Sequence, residues 1–256
     1  MRRMKEMTYF ELHSAVGITK HMGGYKATNE IIELCKIKKG SYVLDVGCGV
    51  GKTSWYLAKK FGCRVIGIDL SEKMLEWARK RTKDCGLEDK IEFIKADATK
   101  MPFKKNTFDA VIVQSVTTFI PDKQKALKEY ARVVKKNGYV GMNEEIWIKK
   151  PTTKIECAVK EAIEIKTSLL YEKEWIDLMK KSGLKEIISR PCKPKVLEQM
   201  WAEIKWFELK EMVRATYLMI KLFITSKSFR KYAMKKRKTP LNVFDYMGYG
   251  IFVGKK

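Results

Sequence analysis

The sequence predicts an α/β protein with a mostly parallel sheet and helices on both faces of that sheet. Two observations support this class: short, almost wholly apolar runs alternate with longer amphipathic runs, and glycine-containing turns separate them. Strands that are apolar along their whole length are typical of parallel sheets covered by helices. Because right-handed crossovers bring the carboxyl ends of such strands to one edge, we expect the ligand site at that edge.

Seven strands and the helices between them can be placed along the chain. The strands are predicted at 42–46, 64–68, 91–95, 108–113, 139–147, 185–192 and 249–253. The helices are predicted at 28–34, 52–61, 71–85, 121–134 and 171–182, from apolar side chains that recur every three or four residues. Ser71 is the candidate N-cap of the third helix, and the fourth is expected to stop at the turn 137–138.

The length of 256 residues fits one domain with an insertion. We expect this domain to span 1–256, with a helical N-terminal cap at 1–40 and a ligand-binding core at 41–148. A helical cap insertion is predicted at 194–238, before the last strand.

Composition excludes several classes of protein. Apolar residues make up 45% of the chain and charged residues 32%, which excludes a disordered chain. The basic start is not followed by an apolar run, and no stretch of 18 apolar residues occurs, so the sequence predicts a cytoplasmic protein. The six cysteines form no C-x-x-C pair and the chain has two histidines, so no metal site is expected.

The turn after the first strand is the most informative motif. Asp45 is followed by Gly47, Gly49 and Gly51 in a D-x-G-x-G-x-G pattern. A dinucleotide-binding motif would place its third glycine at position 52, where Lys52 stands. The pattern instead resembles motif I of the class I S-adenosylmethionine (SAM)-dependent methyltransferases.

Two further stretches carry the same resemblance. Residues 97–103 (DATKMPF) and 108–111 (FDAV) are similar to the signature after strand three of the ubiquinone/menaquinone-biosynthesis-type (methyltransferase type 11) enzymes. Residues 22–28 (MGGYKAT) resemble the glycine-pair segment of sterol, tocopherol and glycine/sarcosine methyltransferases. The resemblance covers about residues 20–148. It implies a Rossmann-like seven-stranded fold with a helical cap, SAM as cofactor and S-adenosylhomocysteine as product.

The resemblance gives the polar residues at the strand ends roles toward SAM. Asp69 ends the second strand and would accept both ribose hydroxyls. Asp97 would accept from the adenine amino group, with the Ala98 amide beside it, and Asp45 would hold the ammonium side. Glycines in the turn let the backbone approach the ligand, and the next helix would direct its free N–H groups at the methionine carboxylate. The candidate cofactor-binding residues are Gly23, Gly24, Asp45, Gly47, Cys48, Gly49, Gly51, Asp69, Leu70, Met74, Asp97, Ala98 and Gln114.

The candidate catalytic residues are His21, Tyr25 and Glu144. Methyl transfer from a sulfonium is an in-line displacement, so a base is needed only when the acceptor must lose a proton. His21 or Tyr25 is the expected base or orienting group. By strand alternation, only one of Glu144 and Glu145 can face the cleft. The other candidate pocket residues are Tyr9, His13, Phe119, Glu145 and Trp147.

Several acceptors remain open. A small apolar or amphipathic molecule (quinone-like, isoprenoid or lipid headgroup) is favoured. Residues 114–117 (QSVT) lack the Asn/Asp-Pro-Pro-aromatic tetrapeptide of enzymes that methylate exocyclic base amines. The alternatives are an RNA methyltransferase that uses the basic C-terminal region, an amine or amino-acid N-methyltransferase, and a SAM-binding protein without activity.

The formal net charge of +23 has two interpretations: attraction to an anionic partner, or a lysine-rich background composition with no specific anionic partner. Residues 195–238 interleave large apolar side chains with Lys and Arg and include a basic run at 235–238. One interpretation is a lid that also rests on an anionic membrane. A cap whose apolar faces simply pack on the sheet is the more ordinary interpretation, and RNA binding with aromatic stacking is the weakest of the three.

Overall fold

The computed structural model describes residues 7–165, 168–236 and 241–256, with the backbone alone for residues 163, 196, 203, 235, 236 and 241. One mixed sheet forms its centre, which confirms the predicted α/β class. The strands are β1 (Tyr42–Val46), β2 (Arg64–Asp69), β3 (Ile91–Lys95), β4 (Phe108–Gln114), β5 (Val134–Trp147), β6 (Leu170–Tyr171), β7 (Lys185–Cys192) and β8 (Met247–Lys255). Their order is β3-β2-β1-β4-β5-β8-β7, and the short β6 pairs with β5.

Strand direction places the carboxyl ends of β1 to β5 at one edge. All pairs among these five strands are parallel, whereas β8 runs antiparallel to both β5 and β7. In the register of the sheet, Asp45 lies level with Gly67, and Asp69 lies level with Lys95. The edge where a ligand is expected therefore carries the acidic residues singled out from the sequence.

Helices cover both faces of the sheet. They are α1 (Tyr9–Val16), α2 (Gly24–Leu34), α3 (Lys52–Phe61), α4 (Glu72–Asp84), α5 (Lys123–Val133), α6 (Thr153–Ile163), α7 (Glu172–Lys181), α8 (Val196–Trp206), α9 (Leu209–Thr225) and α10 (Lys227–Lys236). The Ser71 hydroxyl accepts from the Met74 N–H at 3.4 Å, which confirms the predicted N-cap of α4. Across the described ranges, no helix combines the length and the apolar character needed to cross a bilayer.

The structure differs from the predicted elements around β5. The expected stop of α5 at 137–138 is wrong, because α5 ends at Val133 and the chain continues directly into β5. Asn137 has a φ of +63°, and a Cβ at Gly138 would lie 2.6 Å from the Asp109 carbonyl oxygen. These turn residues therefore mark an irregularity inside a long strand. The prediction also missed α6 and β6, and with β6 the sheet has eight strands where seven were expected.

The late helices α8 to α10 pack on the N-terminal helices. Helix α8 contacts α2, and α9 contacts α1. The Trp206 indole N–H donates to the Thr19 carbonyl at 3.1 Å, and the Gln199 amide oxygen accepts from the Gly23 N–H at 3.1 Å. Two side chains of the insertion thus fix the backbone of the α1–α2 linker (17–23).

A buried cluster of charges joins this cap to the core. The Glu211 carboxylate on α9 accepts from the Lys52 ammonium at 2.6 Å and from the Arg81 guanidinium. Lys52 is the first residue of α3, and Arg81 lies on α4. Lys52 is 1% exposed and Glu211 is 3% exposed, so neither charge has water as an alternative partner.

Replacing Glu211 by Gln tests the contribution of this cluster. The substitution keeps the side-chain shape but leaves two cations buried without a counter-charge. We expect the free energy of unfolding to fall by about 3–5 kcal/mol, measured by urea denaturation. Glu72→Gln is the matched control, because the exposed Glu72–Arg79 pair should contribute less than about 1 kcal/mol. A loss no larger than the control's would contradict this role.

The stability difference between the wild type and Glu211→Gln should depend on pH. Burial alone would raise the pKa of Glu211, but Lys52 and Arg81 outweigh burial and lower that pKa to about 2. An unfolded Glu titrates near pH 4.3, so the stabilisation is complete above about that pH and is lost as the pH falls toward 2. The difference in stability between wild type and Glu211→Gln should therefore narrow below about pH 4.

Candidate functional site

The glycine turn between β1 and α3 forms the floor of the candidate site. Gly47, Gly49 and Gly51 all have positive φ, at 65°, 54° and 70°. A Cβ at Gly47 would lie 2.3 Å from Val116 Cγ2, and one at Gly49 would lie 2.2 Å from Thr19 Cγ2. The turn thus requires glycine both for its backbone angles and for close approach. Thr19 of the α1–α2 linker and Val116 after β4 lie directly against it.

Asp69 is held at the tip of β2 by two backbone groups. Its Oδ2 accepts from the Gly49 N–H at 2.9 Å, and its Oδ1 accepts from the Ser71 N–H at 2.8 Å. These bonds fix the carboxylate between the glycine turn and the start of α4. Each oxygen keeps a further lone pair that can accept from a hydroxyl group. Burial raises the pKa of Asp69, and the backbone donors oppose that rise.

Asp45 and Asp97 lie in different surroundings. Asp45 is buried, and its Oδ2 accepts from the Ser54 hydroxyl on α3 at 2.6 Å. Burial, with a smaller contribution from the Asp69 charge, raises the pKa of Asp45 to about 7. Asp97 is exposed, and its Oδ1 accepts from both the N–H and the hydroxyl of Thr99. Asp45 therefore faces α3 at the base of the turn, whereas Asp97 stabilises the chain after β3.

The other candidates near the turn contribute a backbone N–H group or an apolar side chain. The Cys48 N–H donates to the Ile68 carbonyl at 2.9 Å, which ties the turn to β2. Met74 and Ala98 are buried. Leu70, beside Asp69, is 66% exposed and leaves a large apolar side chain at the mouth of the site.

His21 and Gln114 connect the glycine-pair segment (22–28) to the end of β4. His21 Nε2 lies 3.1 Å from the Gly24 carbonyl oxygen and 3.1 Å from Gln114 Nε2. Thr28 Oγ1 accepts from the Gln114 amide at 2.9 Å. Burial lowers the pKa of His21 to about 4, although the Gly24 hydrogen bond opposes this. A neutral ring whose Nε2 is already engaged is suited to orienting this segment rather than to accepting a proton near pH 7.

Tyr25 and the two glycines of the segment pack beneath α8. The Tyr25 ring lies 4.5 Å from the Trp206 ring and 4.9 Å from the Tyr56 ring, centre to centre. Burial and then the charge of Glu211 raise the pKa of Tyr25 to about 12, so its phenol remains a donor at neutral pH. Side chains have little room at the glycines: a Cβ on Gly23 would lie 2.7 Å from the Tyr249 hydroxyl.

Glu144 supports the turn after β4. Its Oε1 accepts from the Thr117 N–H at 2.9 Å, and its Oε2 accepts from the Thr118 N–H at 2.9 Å. These bonds cap the 3₁₀ helix Thr117–Phe119 that follows Val116. Both carboxylate oxygens are therefore engaged with backbone on the face opposite the glycine-pair segment, and the expectation that Glu144 faces the cleft is corrected.

Glu145 lies on the other face of β5, together with Asn143. The Asn143 amide donates to the Met22 carbonyl at 2.8 Å, which places this face against the glycine-pair segment. Glu145 Oε1 accepts from the Ser115 hydroxyl at 2.7 Å. Ser115 adopts a φ of +53°, a conformation that non-glycine residues take up at functional sites at an energetic cost.

Unpartnered buried oxygens gather at the ends of β4 and β5. Glu145 Oε2, Asn143 Oδ1 and Thr118 Oγ1 are buried and meet the criteria for a hydrogen bond with no group in the described part of the chain. Burial raises the pKa of Glu145, while the Ser115 hydroxyl opposes the rise. Oxygens of this kind require a donor from a bound molecule or water.

The remaining candidates for the acceptor pocket separate into two groups. Tyr9 stacks on Phe119 at 6.2 Å and lies 4.0 Å from the His13 ring, so these three form one aromatic cluster beside the 3₁₀ helix. Trp147 is buried, and its indole N–H donates to the Ser168 hydroxyl at 3.0 Å. Trp147 therefore belongs to the core beside α6.

Sequence reasoning did not find Ser115, Gln199 or Trp206. Gln199 and Trp206 act on the α1–α2 linker across more than 170 residues of chain, and no local pattern marks such a contact. Ser115 is distinguished by its backbone angle and by its contact with Glu145. Its position just after a buried parallel strand is the one signal that the sequence offers.

Comparisons with known proteins agree with this geometry. The sequence profile described as "Methyltransferase domain" matches residues 44–142. Methyltransferase GfsG of Streptomyces halstedii is 33% identical over 185 residues, which is 68% of this chain and 66% of that protein. Phosphoethanolamine N-methyltransferase 3 of Arabidopsis thaliana is 36% identical over 118 residues, 46% of this chain and 24% of that protein. The chain thus spans just under two thirds of one relative and about a quarter of the other.

The fold has counterparts among solved structures. Haemonchus contortus phosphoethanolamine N-methyltransferase 2, in complex with phosphomonomethylethanolamine and S-adenosylhomocysteine, superposes with a TM-score of 0.73 at 21% identity. The match covers 97% of this chain and 57% of that chain, and it shows a common fold. With the glycine turn, the profile and the relatives in agreement, this chain belongs to the class I SAM-dependent methyltransferases, and its methyl donor is S-adenosylmethionine.

Proposed function

We propose that this methyltransferase acts on a small amphipathic acceptor whose polar end carries an amine or hydroxyl group, as in a lipid headgroup. The observation that carries the proposal is the buried Glu145 Oε2, which lacks a hydrogen-bond partner among the described residues. Together with Asn143 Oδ1, it offers two acceptor atoms that receive no hydrogen bond from the described residues. A ligand with N–H or O–H groups would satisfy both.

On the donor side, we assign Asp69 to the ribose hydroxyls, because its position is fixed by two backbone bonds and its remaining lone pairs are available. Asp97 with Ala98 would bind the adenine edge, and the exposed Leu70 would cover the ring. The turn from Gly47 to Gly51 would hold the methionine end. When bound, SAM supplies an electrophilic methyl group.

The acceptor side would supply alignment and a proton acceptor. Methyl transfer to an amine or hydroxyl requires the acceptor to lose a proton, which Glu145 Oε2 can accept. Burial raises the pKa of Glu145, which makes its carboxylate a stronger base than an exposed one. Ser115 would hold the other oxygen, and the His21–Gln114 pair would keep the glycine-pair segment against the site.

This arrangement favours an amphipathic acceptor over RNA. A buried carboxylate at the acceptor side repels a polyanion, and the neighbouring cluster of Tyr9, His13 and Phe119 is aromatic and largely apolar. The named activity of the phosphoethanolamine relatives supports an amine-bearing polar end.

Asp69→Ala should weaken SAM binding at least about tenfold, because two hydrogen bonds to a charged group are lost. Isothermal calorimetry measures the affinity. Asp89→Ala, at an exposed carboxylate in the turn before β3, is the control and should bind SAM as wild type does. Unchanged binding by a folded Asp69→Ala protein would remove the ribose assignment.

Asp45→Asn should raise the stability of the protein at pH 8 and weaken its binding of SAM. The pKa of Asp45 is raised to about 7 in the fold, so folding becomes less favourable as the pH rises from about 4 to 7. Asn keeps the Ser54 contact without the buried charge. We expect the variant to be more stable than wild type at pH 8 by about 1–3 kcal/mol, to match it near pH 4, and to bind SAM more weakly. Thermal unfolding at both pH values, with calorimetry, is the test.

Glu145→Gln should lower kcat/KM for the acceptor by about 100-fold and leave SAM affinity unchanged. Substrates can be found by incubating the protein and labelled SAM with lipid, polar-amine and RNA fractions. In wild type, kcat/KM should rise with pH through the Glu145 titration, and this limb should be absent from the variant. Glu144→Gln should instead lower thermal stability, because it weakens the cap of the 3₁₀ helix. Turnover with RNA alone, or full activity of Glu145→Gln, would overturn the proposal.

A further inference from the structure

Helix α9 carries an apolar stripe that faces solvent. Leu209, Val213, Tyr217, Ile220 and Ile224 recur every three or four residues and therefore share one side of the helix. Their side chains are between 56% and 77% exposed. We call this set the α9 stripe.

Helix α9 is apolar on its outward side as well as toward the protein. Its inward side carries the buried Ala215, the buried, ion-paired Glu211 and the half-buried Leu218 and Leu222. An amphipathic helix of a globular protein normally turns its apolar side to the core. Packing within this chain thus does not account for the α9 stripe, and contiguous exposed apolar surface of this kind marks an interaction site.

Helix α8 also exposes apolar side chains, and lysines flank the α9 stripe. Leu197 and Trp201, four residues apart on α8, are also well exposed. The exposed Lys210 and Lys221 lie on α9 itself. From residue 212 to residue 236 the chain contains no Asp or Glu. The surface is therefore apolar with a basic border.

We infer that the α9 stripe docks on the surface of an anionic lipid bilayer. Exposed apolar and aromatic side chains beside lysines are the composition of helices that lie in the membrane interface. Lys and Arg near such a surface gain from the negative potential of anionic lipids. Such docking would place the protein at a membrane surface, and it does not depend on which acceptor the active site uses.

The charge distribution favours a bilayer over a second copy of the chain. Two protomers joined through this surface would each bring a net charge of +23 and a basic border to the contact, and like charges would oppose the pairing. The basic run at 235–238, predicted from the sequence to contribute, lies outside the described side chains.

Sedimentation of the 256-residue chain with vesicles tests the inference. We expect binding to phosphatidylglycerol-containing phosphatidylcholine vesicles, little binding to phosphatidylcholine alone, and weaker binding at high salt. The double variant Val213→Glu/Ile220→Glu should lower the bound fraction at least tenfold, because it places two charges within the α9 stripe. Lys210→Glu/Lys221→Glu should reduce binding to the anionic vesicles. Ile188→Glu, at an exposed apolar position on β7, is the control and should bind as wild type does.

Both double variants alter exposed positions, so their thermal unfolding should match that of the wild type. Equal sedimentation of the stripe variant and the wild type would overturn the inference. So would equal binding to neutral and anionic vesicles, or a dimer in solution that Val213→Glu/Ile220→Glu dissociates. Loss of vesicle binding with unchanged turnover of a soluble acceptor would support docking and leave the proposed function intact.

Discussion

The ion pairs of Glu211 connect the parts of this protein that must act together. Lys52 stands where a dinucleotide-binding motif has its third glycine, and its ammonium reaches the Glu211 carboxylate on α9 at 2.6 Å. Arg81 of α4 binds the same carboxylate. Since a buried charge without a partner is strongly unfavourable, these ion pairs stabilise the contact of the cap with α3 and α4. Lys52, which excludes the dinucleotide-binding motif, is therefore also a residue that anchors the cap.

The anchored cap in turn positions the segment that covers the site. Trp206 and Gln199 bind the backbone of the α1–α2 linker, and the Arg214 guanidinium donates to the Gly17 carbonyl at 2.9 Å. That linker places Thr19 against Gly49. The geometry above the glycine turn therefore depends on helices that lie 150 residues further along the chain. A substitution on α8 can alter the binding site without touching a ligand.

The parts of the structure that local patterns control were predictable. Apolar runs located β1 to β4 to within one residue, and the glycine spacing located the turn, because both signals are contained in a few adjacent residues. Strand alternation shows that Glu144 and Glu145 face opposite sides of β5. It does not show which of them faces the glycine-pair segment, because that depends on the contact of Glu144 with Thr117 and the contact of Asn143 with Met22. No local pattern encodes these contacts. The start of β5 was missed because Asn137 and Gly138 also suit a helix end. The Glu211 cluster joins residues 159 positions apart, beyond the reach of any periodicity.

The sheet order has a consequence for how the chain assembles during synthesis. Strand β8 lies between β5 and β7, and β7 pairs with β8 in the described part of the chain. The first five strands can pair as they leave the ribosome, but β7 has to wait until the three cap helices have also been made. Two of those helices expose the apolar surface described above. During that interval the nascent chain presents an unpaired strand edge next to apolar helices, so this stage is the one at which a chaperone would protect it from aggregation.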